Sequence, residues 1–403
     1  MQVKISLRNV FRNRRRTAFS LAVIVIGFVV LVSVLGFVDE ALQSTKTSLA
    51  DESGSVQVAS VGLFENTATG YDYLISLGNL NRLIGEVSEM TGVIGISWQL
   101  NFAGLVGDDQ GSTLIIGRGV VPCSDVQDYE CIVSSGNPLR ESSDREAVLG
   151  SALARKLGVE PGDRVNIATG TVSGNFNAAT VTIVGEITYA LEELEAQLGL
   201  FPISFVQRLL KTDGVERILI RLEDLDEAES FASVLQQRLQ ADSIPLVTRT
   251  WKELNPSYES IESFYVAFAG LAMIGIAVLV FFSVLEVLTI SFLERSREVG
   301  TLRALGTERG RIFGSFLLEG AFLGLIGAML GTIISIALVL VFNGIGFTWT
   351  PPGAAIPQLI RLRLSFEVIA MPILIVLFST LLSALFPAWR NSRIAIVEAM
   401  QSV

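Results

Sequence analysis

Four stretches of the chain are long and almost free of charge. Residues 18–38 contain no charged side chain. At 1.5 Å per residue that run is about 31 Å long, matching a hydrocarbon core of about 30 Å. A second run covers 264–293 and is interrupted only by Glu286. A third covers 312–342 with Glu319 near its start, and a fourth covers 366–389 with Glu367 at its beginning. Buried helices of soluble proteins rarely stay uncharged for that long, so the pattern predicts four transmembrane helices. The first run is longer than the apolar core of a signal peptide, and no small-residue cleavage site follows it. It therefore reads as a retained anchor.

Between the first two runs, residues 39–263 show the shorter periods of a soluble α/β domain. Strands are expected at 55–60, 93–106, 113–121, 217–222 and 244–250, and helices at 80–89 and 226–240. Leu80, Leu83, Ile84 and Val87 recur at helical spacing. The two strand–helix–strand groups bracket the domain, which suggests one subdomain from 39–121 and 214–253 and a mainly β insert at 122–213. Within the insert, a helix at 151–157 should end at Gly158 in a left-handed cap. Pro161, Gly162 and Asp163 should make a turn, followed by strands at 165–168 and 180–187. Residues 254–263 form a stalk, with Asn255 as candidate N-cap and Pro256 at the first helical position, continuing into the second span.

Charge separates these parts. Residues 39–263 hold 33 acids and 15 bases, and the remainder holds 7 acids and 15 bases. The outer domain is acidic, which argues against nucleic acid, and the membrane part is basic. Lys4, Arg8, Arg12, Arg14, Arg15 and Arg16 precede the first span. Arg295, Arg297, Arg303, Arg309 and Arg311 lie between the second and third, and Arg390 and Arg393 follow the fourth. Arg361 and Arg363, in the loop 343–365, are a minor dissent. By the positive-inside rule the basic N-terminal helix 1–17, the link 294–311 and the tail 390–403 are cytoplasmic.

The residue inventory removes much chemistry. The chain has no histidine and two cysteines, so His-based triads, HExxH sites, most zinc sites and four-thiolate clusters do not fit. None of the five lysines follows a glycine, so no phosphate-binding GxxxxGK[ST] loop is present. No catalytic constellation and no metal site are expected. Cys123 and Cys131 are predicted outside, where they form either a disulfide or two buried free thiols.

The link 294–311 reads ERSREVGTLRALGTERGR. Its apolar residues recur at near-helical spacing, as in an amphipathic helix lying along the inner membrane face. The run E-R-x-x-E-V-G-x-L-R-A-L-G is more specific. It resembles the coupling-helix segment of the permease family that includes MacB, FtsX and the lipoprotein-releasing permeases LolC and LolE, the mechanotransmission or type VII ABC transporter permeases. The matched positions are Glu294, Arg295, Glu298, Gly300, Leu302, Arg303, Ala304 and Gly306, with Leu305 inside the same run. LRNVFRNRRRTAFS at the start and VLGSALARKLGVEPGDRV in the outer domain are also similar to the family. So is FPAWRNSRIAIVEAMQ at the end, with departures at 391–392 and 400–401.

The resemblance implies an α-helical membrane protein of 1+3 spans with a large extracytoplasmic α/β domain, made of a porter subdomain and a sabre-like insert. It implies a multi-pass protein of the bacterial inner membrane, with both termini cytoplasmic and the large domain periplasmic. It also implies a dimer with a second copy or a paralogue, and two copies of a separate P-loop ATPase subunit that binds ATP and Mg. The chain itself would carry no cofactor. The 1+3 layout lies nearest the lipoprotein-releasing branch. There a lipid-anchored substrate enters from the outer leaflet between spans one and two, and Phe28, Leu31, Leu35, Phe264, Phe268 and Leu271 are candidates to line the opening. Each of these is equally a lipid-facing or dimer-packing side chain. A periplasmic lipoprotein carrier or an adaptor would be a further partner. The competing readings are a mechanotransmitter that drives a periplasmic hydrolase or adaptor–channel assembly, and a membrane receptor with an outer sensor domain.

Two features of the spans remain. Glu286 is a carboxylate inside an apolar run, either a functional group or the partner of an arginine near the interface. Gly324, Gly327 and Gly331 have the spacing of small residues at a close helix contact.

Overall fold

The computed structural model describes residues 14–392, apart from 66, 68–69, 108–110, 123–132, 141–144, 189–191 and 351–356. Cys123 and Cys131 therefore lie outside the described residues. The chain divides into two compact units. The described residues of one fall within 1–43, 259–348 and 359–403, and those of the other within 44–258 and 349–358.

The soluble unit is built on strands β1 (Val56–Ala59), β2 (Val93–Gly107), β3 (Ser112–Val120), β4 (Ser135–Gly136), β5 (Glu146–Gly150), β6 (Arg164–Gly170), β7 (Phe176–Ile187), β8 (Leu198–Pro202), β9 (Arg217–Leu222) and β10 (Val247–Thr250). Their order is β10-β1-β9-β2-β3-β8-β5-β7-β4, and β6 bridges β2 and β7. The chain of pairings β2–β3–β8–β5–β7–β6–β2 thus closes on itself. β2 is long enough to serve two groups. Its first half pairs with β9, and its second half, from Leu100, pairs with β3 and then also with β6.

Two hydrophobic cores follow from this division. The first joins Val56, Val58, Ile218 and Ile220 of the open sheet to Leu80, Leu83 and Val87, and to Phe231, Leu235 and Leu239. The latter six belong to helices α1 (Leu77–Ser88) and α2 (Ala228–Ala241). Their buried positions recur every three or four residues, the stripe that a helix presents to a sheet. Ser76 caps α1 by accepting from the Asn79 amide at 3.4 Å. The second core gathers Leu100, Phe102, Ile115, Leu149, Ile167, Ile183 and Phe201 inside the strand ring. Leu153 of α3 (Ser151–Leu157) joins it, with Phe205 and Leu209 of α4 (Ile203–Leu210). Gly158 ends α3 at φ 70, the expected left-handed cap. β3 and the second half of β2 belong to this second core, so the two cores divide inside β2 and not at residue 121.

β10 is an edge strand, and its outer side is closed by α2. Gln236 accepts from the Thr248 amide at 2.8 Å and donates to the Leu246 carbonyl at 3.3 Å. A side-chain amide thus stands where another strand would pair. Thr250 and Glu253 then form a reciprocal capping box at the start of α5 (Trp251–Leu254). The expected Asn255 cap is replaced. Its side-chain amide donates to the Trp251 carbonyl at 2.7 Å, while its own carbonyl accepts from Tyr258.

Among the described residues the membrane unit holds four helices long and apolar enough to cross a bilayer: α6 (Arg14–Ser53), α7 (Ser257–Ala304), α8 (Arg309–Ile345) and α9 (Phe366–Ser392). Of these, α6 comes first in the chain and its last turns enter the soluble unit. The uncharged run marks 18–38, but the helix continues to Ser53, and Ala50 joins the first soluble core. Within the bundle, Ile24, Phe28, Val280, Val284, Leu288, Leu323, Val376 and Ala384 form the core. The glycines of α8 permit this packing. A Cβ at Gly327 would overlap Ile24, and one at Gly331 would sit 2.7 Å from the ring of Phe28. One at Gly324 would overlap Thr380. Two faces of α8 are therefore kept bare for α6 and α9, as small residues at membrane helix contacts allow.

Candidate functional site

The residues that resemble a coupling segment lie on one helical hairpin. They do not form a separate helix lying along the membrane. Residues 294–304 are the last three turns of α7, continuous with the span itself. The helix closes with Leu305 donating to the Thr301 carbonyl and Gly306 to the Arg303 carbonyl, each at 3.0 Å. Gly306 then takes φ +90, a left-handed conformation that costs little only without a Cβ. Glu308 opens α8 as its N-cap residue and faces Arg311 at 3.5 Å, with both side chains exposed.

The hairpin has an inner and an outer face. On the inner face, the Arg295 guanidinium donates to the Glu319 carboxylate at 2.7 Å, and Glu319 is only 4% exposed. Glu298 lies 3.4 Å from the same guanidinium, which also sits 5.7 Å from the centre of the Phe316 ring. Val299 is buried one turn later, with Ile312, Phe316 and Ala388. Arg295 thus ties the end of α7 to α8 through a charge-assisted bond in a poorly solvated place. On the outer face, Glu294, Thr301, Ala304 and Gly306 are exposed, and Leu305 at the tip is 79% exposed. Gly300 is buried and Arg303 half-buried, and the Leu302 side chain is outside the described set. The segment therefore divides into residues that brace the hairpin and residues that a partner can reach.

Glu286 is exposed on α7, and no arginine pairs with it among the described residues. The acid that meets an arginine is Glu319, 24 residues along from Arg295. The six candidate cavity residues do not converge. Phe28 and Leu31 are fully buried, with Phe28 filling the space over Gly331, and Leu35 packs against the bundle core. Phe264, Phe268 and Leu271 point away from that core, at 66%, 46% and 72% exposure.

In the soluble unit, Glu216 is buried, pairs with Arg217 and accepts from the Asn101 amide at 2.9 Å. Burial, reinforced by the Glu216 charge, pushes Tyr73 up to about 12 and also raises Tyr71. An open cavity of about 530 Å³ lies nearby, lined by Ser60, Val61, Asp72, Tyr73, Asn79 and Leu246 among others. Among the described residues no cluster of carboxylates and thiols could hold a metal.

A four-helix membrane unit whose first and second membrane helices are separated by a two-core α/β domain defines a multi-pass membrane protein with a large soluble insertion. Residues 17–238 match the family model for the MacB-like periplasmic core domain, and residues 270–396 match that for the FtsX-like permease C-terminal domain. The chain belongs to this family of MacB/FtsX-type permeases.

Among its relatives is the lipoprotein-releasing system transmembrane protein LolC of Xylella fastidiosa, 24% identical over 63% of this chain and 64% of the relative. The match thus spans a little under two thirds of that relative's length. LolC of Haemophilus influenzae is 23% identical over 66% of this chain and 70% of the relative. The macrolide export ATP-binding/permease protein MacB of Campylobacter jejuni is 28% identical over 42% of this chain and 27% of the relative. The crystallised periplasmic region of MacB from Actinobacillus actinomycetemcomitans overlays with a TM-score of 0.39 at 11% identity, covering 51% of this chain and 94% of that one.

Proposed function

We propose that the chain is the permease subunit of an inner-membrane ABC transporter, with the α7–α8 hairpin on the cytoplasmic side. There it receives the motion of separate ATPase subunits that bind ATP and Mg. The observation that carries this reading is the hairpin itself, an exposed leucine held at the tip of a turn whose base is fastened by Arg295 and Glu319. An apolar side chain that is 79% exposed beyond the span gains most from a groove on a partner. α7 is unbroken from Ser257 to Ala304, roughly 70 Å of helix, and an unbroken helix is suited to carrying such a push. Tyr258, in its first turn, packs edge-on against Trp251 at 4.9 Å. The permease acts as a dimer, with a second copy or a paralogue.

The work we assign to this motion is release of a lipid-anchored protein from the outer leaflet. The kinship with LolC proteins supports that assignment, as does the outward apolar face of Phe264, Phe268 and Leu271. The continuous α7 equally supports a mechanotransmitter that drives a periplasmic adaptor or hydrolase. Purification of the full chain in mild detergent, with mass spectrometry of what accompanies it, separates the two. A P-loop ATPase with a lipidated protein supports release. The ATPase with an unlipidated periplasmic protein supports mechanotransmission. Leu305→Glu should abolish ATPase capture while leaving the chain folded. Undiminished capture by that variant refutes the coupling role.

A further inference from the structure

On the membrane unit, α7, α8 and α9 leave a groove of about 540 Å³ between them, lined by Phe281, Phe313, Leu382, Leu385, Phe386 and Trp389. That size lies within the range of small-molecule sites, about 300–1,000 Å³. The four α9 residues sit at i, i+3, i+4 and i+7, so they make one continuous stripe about 10 Å long. Three further observations bear on what fills it.

First, the lining is wholly apolar and two-thirds aromatic, and Leu382, Leu385, Phe386 and Trp389 are all more than two-fifths exposed on this chain. Second, charge appears at one end only. Arg309 stands one turn before Phe313 on α8, and Arg390 stands one turn after Phe386 on α9. Both are exposed, and neither has an ion-pair partner among the described residues. Third, the two arginines lie at the same end. Gly320 meets Ala384 and Gly324 meets Thr380, so the helices are antiparallel with Arg390 level with Gly314. Arg309 is then only about 7 Å further along. Of the acids on the neighbouring turns, Glu308 faces Arg311 and Glu298 faces Arg295, while Glu286 lies five residues beyond Phe281, off the face that Phe281 presents.

From this we propose that the groove is a binding site for an anionic phospholipid from the leaflet bordering the α7–α8 hairpin. An acyl chain lies along Leu382–Trp389, and the phosphate is held between Arg309 and Arg390. An elongated apolar slot with a basic mouth has the polarity of an anionic lipid, apolar along its length and negative at one end. Trp389, beside the mouth, sits where aromatic residues favour the interface. Basic pockets between membrane helices recognise anionic headgroups in this way.

The test uses the full chain in detergent, titrated with phosphatidylglycerol or phosphatidylcholine and read by native mass spectrometry. Retention of phosphatidylglycerol should exceed that of phosphatidylcholine. Arg309→Gln and Arg390→Gln should each lower it roughly fivefold, and Leu385→Trp, which fills the slot, should lower retention of both lipids. As an independent readout, brominated phosphatidylglycerol should quench tryptophan fluorescence more than brominated phosphatidylcholine, and Trp389→Phe should remove that excess. Equal retention of the two lipids, or retention unchanged in both arginine variants, overturns the site. Disulfide cross-linking of two copies through Leu385→Cys in native membranes also overturns it, by showing that another copy fills the groove.

Discussion

Glu319 accepts from Arg295 at 2.7 Å, and the two side chains are 4% and 15% exposed. Replacing Glu319 with leucine leaves a guanidinium in a poorly solvated place without its main counter-charge. Breaking such a pair costs about 3–5 kcal/mol. Glu298 is 3.4 Å from the same guanidinium but half exposed, so it screens part of the loss and the expected cost is near the lower end. Arg295→Leu should cost a similar amount by stranding the carboxylate. The double variant removes both charges and leaves two apolar side chains beside Phe316, so most of the loss should be recovered. The measurement is a double-mutant cycle on the full chain, unfolded in mixed micelles with dodecyl sulfate and followed by helical circular dichroism. A coupling energy of about 2–3 kcal/mol is expected, at the upper end for residues in contact. A value under about 0.5 kcal/mol, or a double variant as unstable as the sum of the singles, would refute a bracing role for this pair. The same cycle read as ATPase stimulation distinguishes bracing from mere stability. If the hairpin must be stiff, Glu319→Gln, which keeps a hydrogen-bond acceptor, should lose coupling before it loses fold.

Three more outcomes follow from the packing and the electrostatics. Gly331→Leu should destabilise the membrane unit by at least the ~1–3 kcal/mol of an overpacked core, because the new side chain meets the Phe28 ring, whereas the exposed Gly344→Leu should not; thermal melting by size-exclusion chromatography compares the two. Gln236→Leu should leave the Thr248 amide without a partner at the sheet edge and cost about 1–3 kcal/mol, with faster amide exchange at Thr248 as the direct readout. Tyr73 has a folded pKa above its ordinary value, so its contribution is complete below pH 10 and is lost as pH rises towards about 12; Tyr73→Phe should flatten that alkaline loss, and an unchanged profile would assign the loss to other groups.

Much of the soluble unit was readable in the chain because each element has one buried face. Leu80, Leu83 and Val87 mark α1 by spacing alone, and the alternation in β6 and β7 marks two strands. β8 and α4 are not legible in the sequence, for a physical reason. Every residue of β8 is buried, so it shows no period of two, and it runs into α4 through Pro202 without a polar break. The place where the two cores meet is not legible, because a strand can pair with different neighbours along its length, which no local pattern records. At the hairpin, the charges of the coupling segment were legible as a motif, but their division into bracing and exposed faces was not. Glu286 stands out in the sequence as a carboxylate in an apolar run, while Glu319, near the start of a span, does not. Which acid meets Arg295 depends on how α7 and α8 cross. The glycines of α8 were the best pointer to that packing, and their partners Ile24 and Phe28 explain why half of the expected cavity lining is bundle core.

The two-part use of β2 has a consequence for how the outer domain behaves under load. Its first seven residues belong to one core and its last eight to the other, with no linker between them. Neither half can melt and leave the other with a complete sheet, so the pair should lose structure in a single cooperative step. Force applied at one end would be borne by backbone hydrogen bonds in register, in the manner of a stiff lever and unlike two beads on a string. A domain spliced in from a relative would therefore have to be joined outside β2, since any junction within it severs the element that makes the two halves one mechanical body.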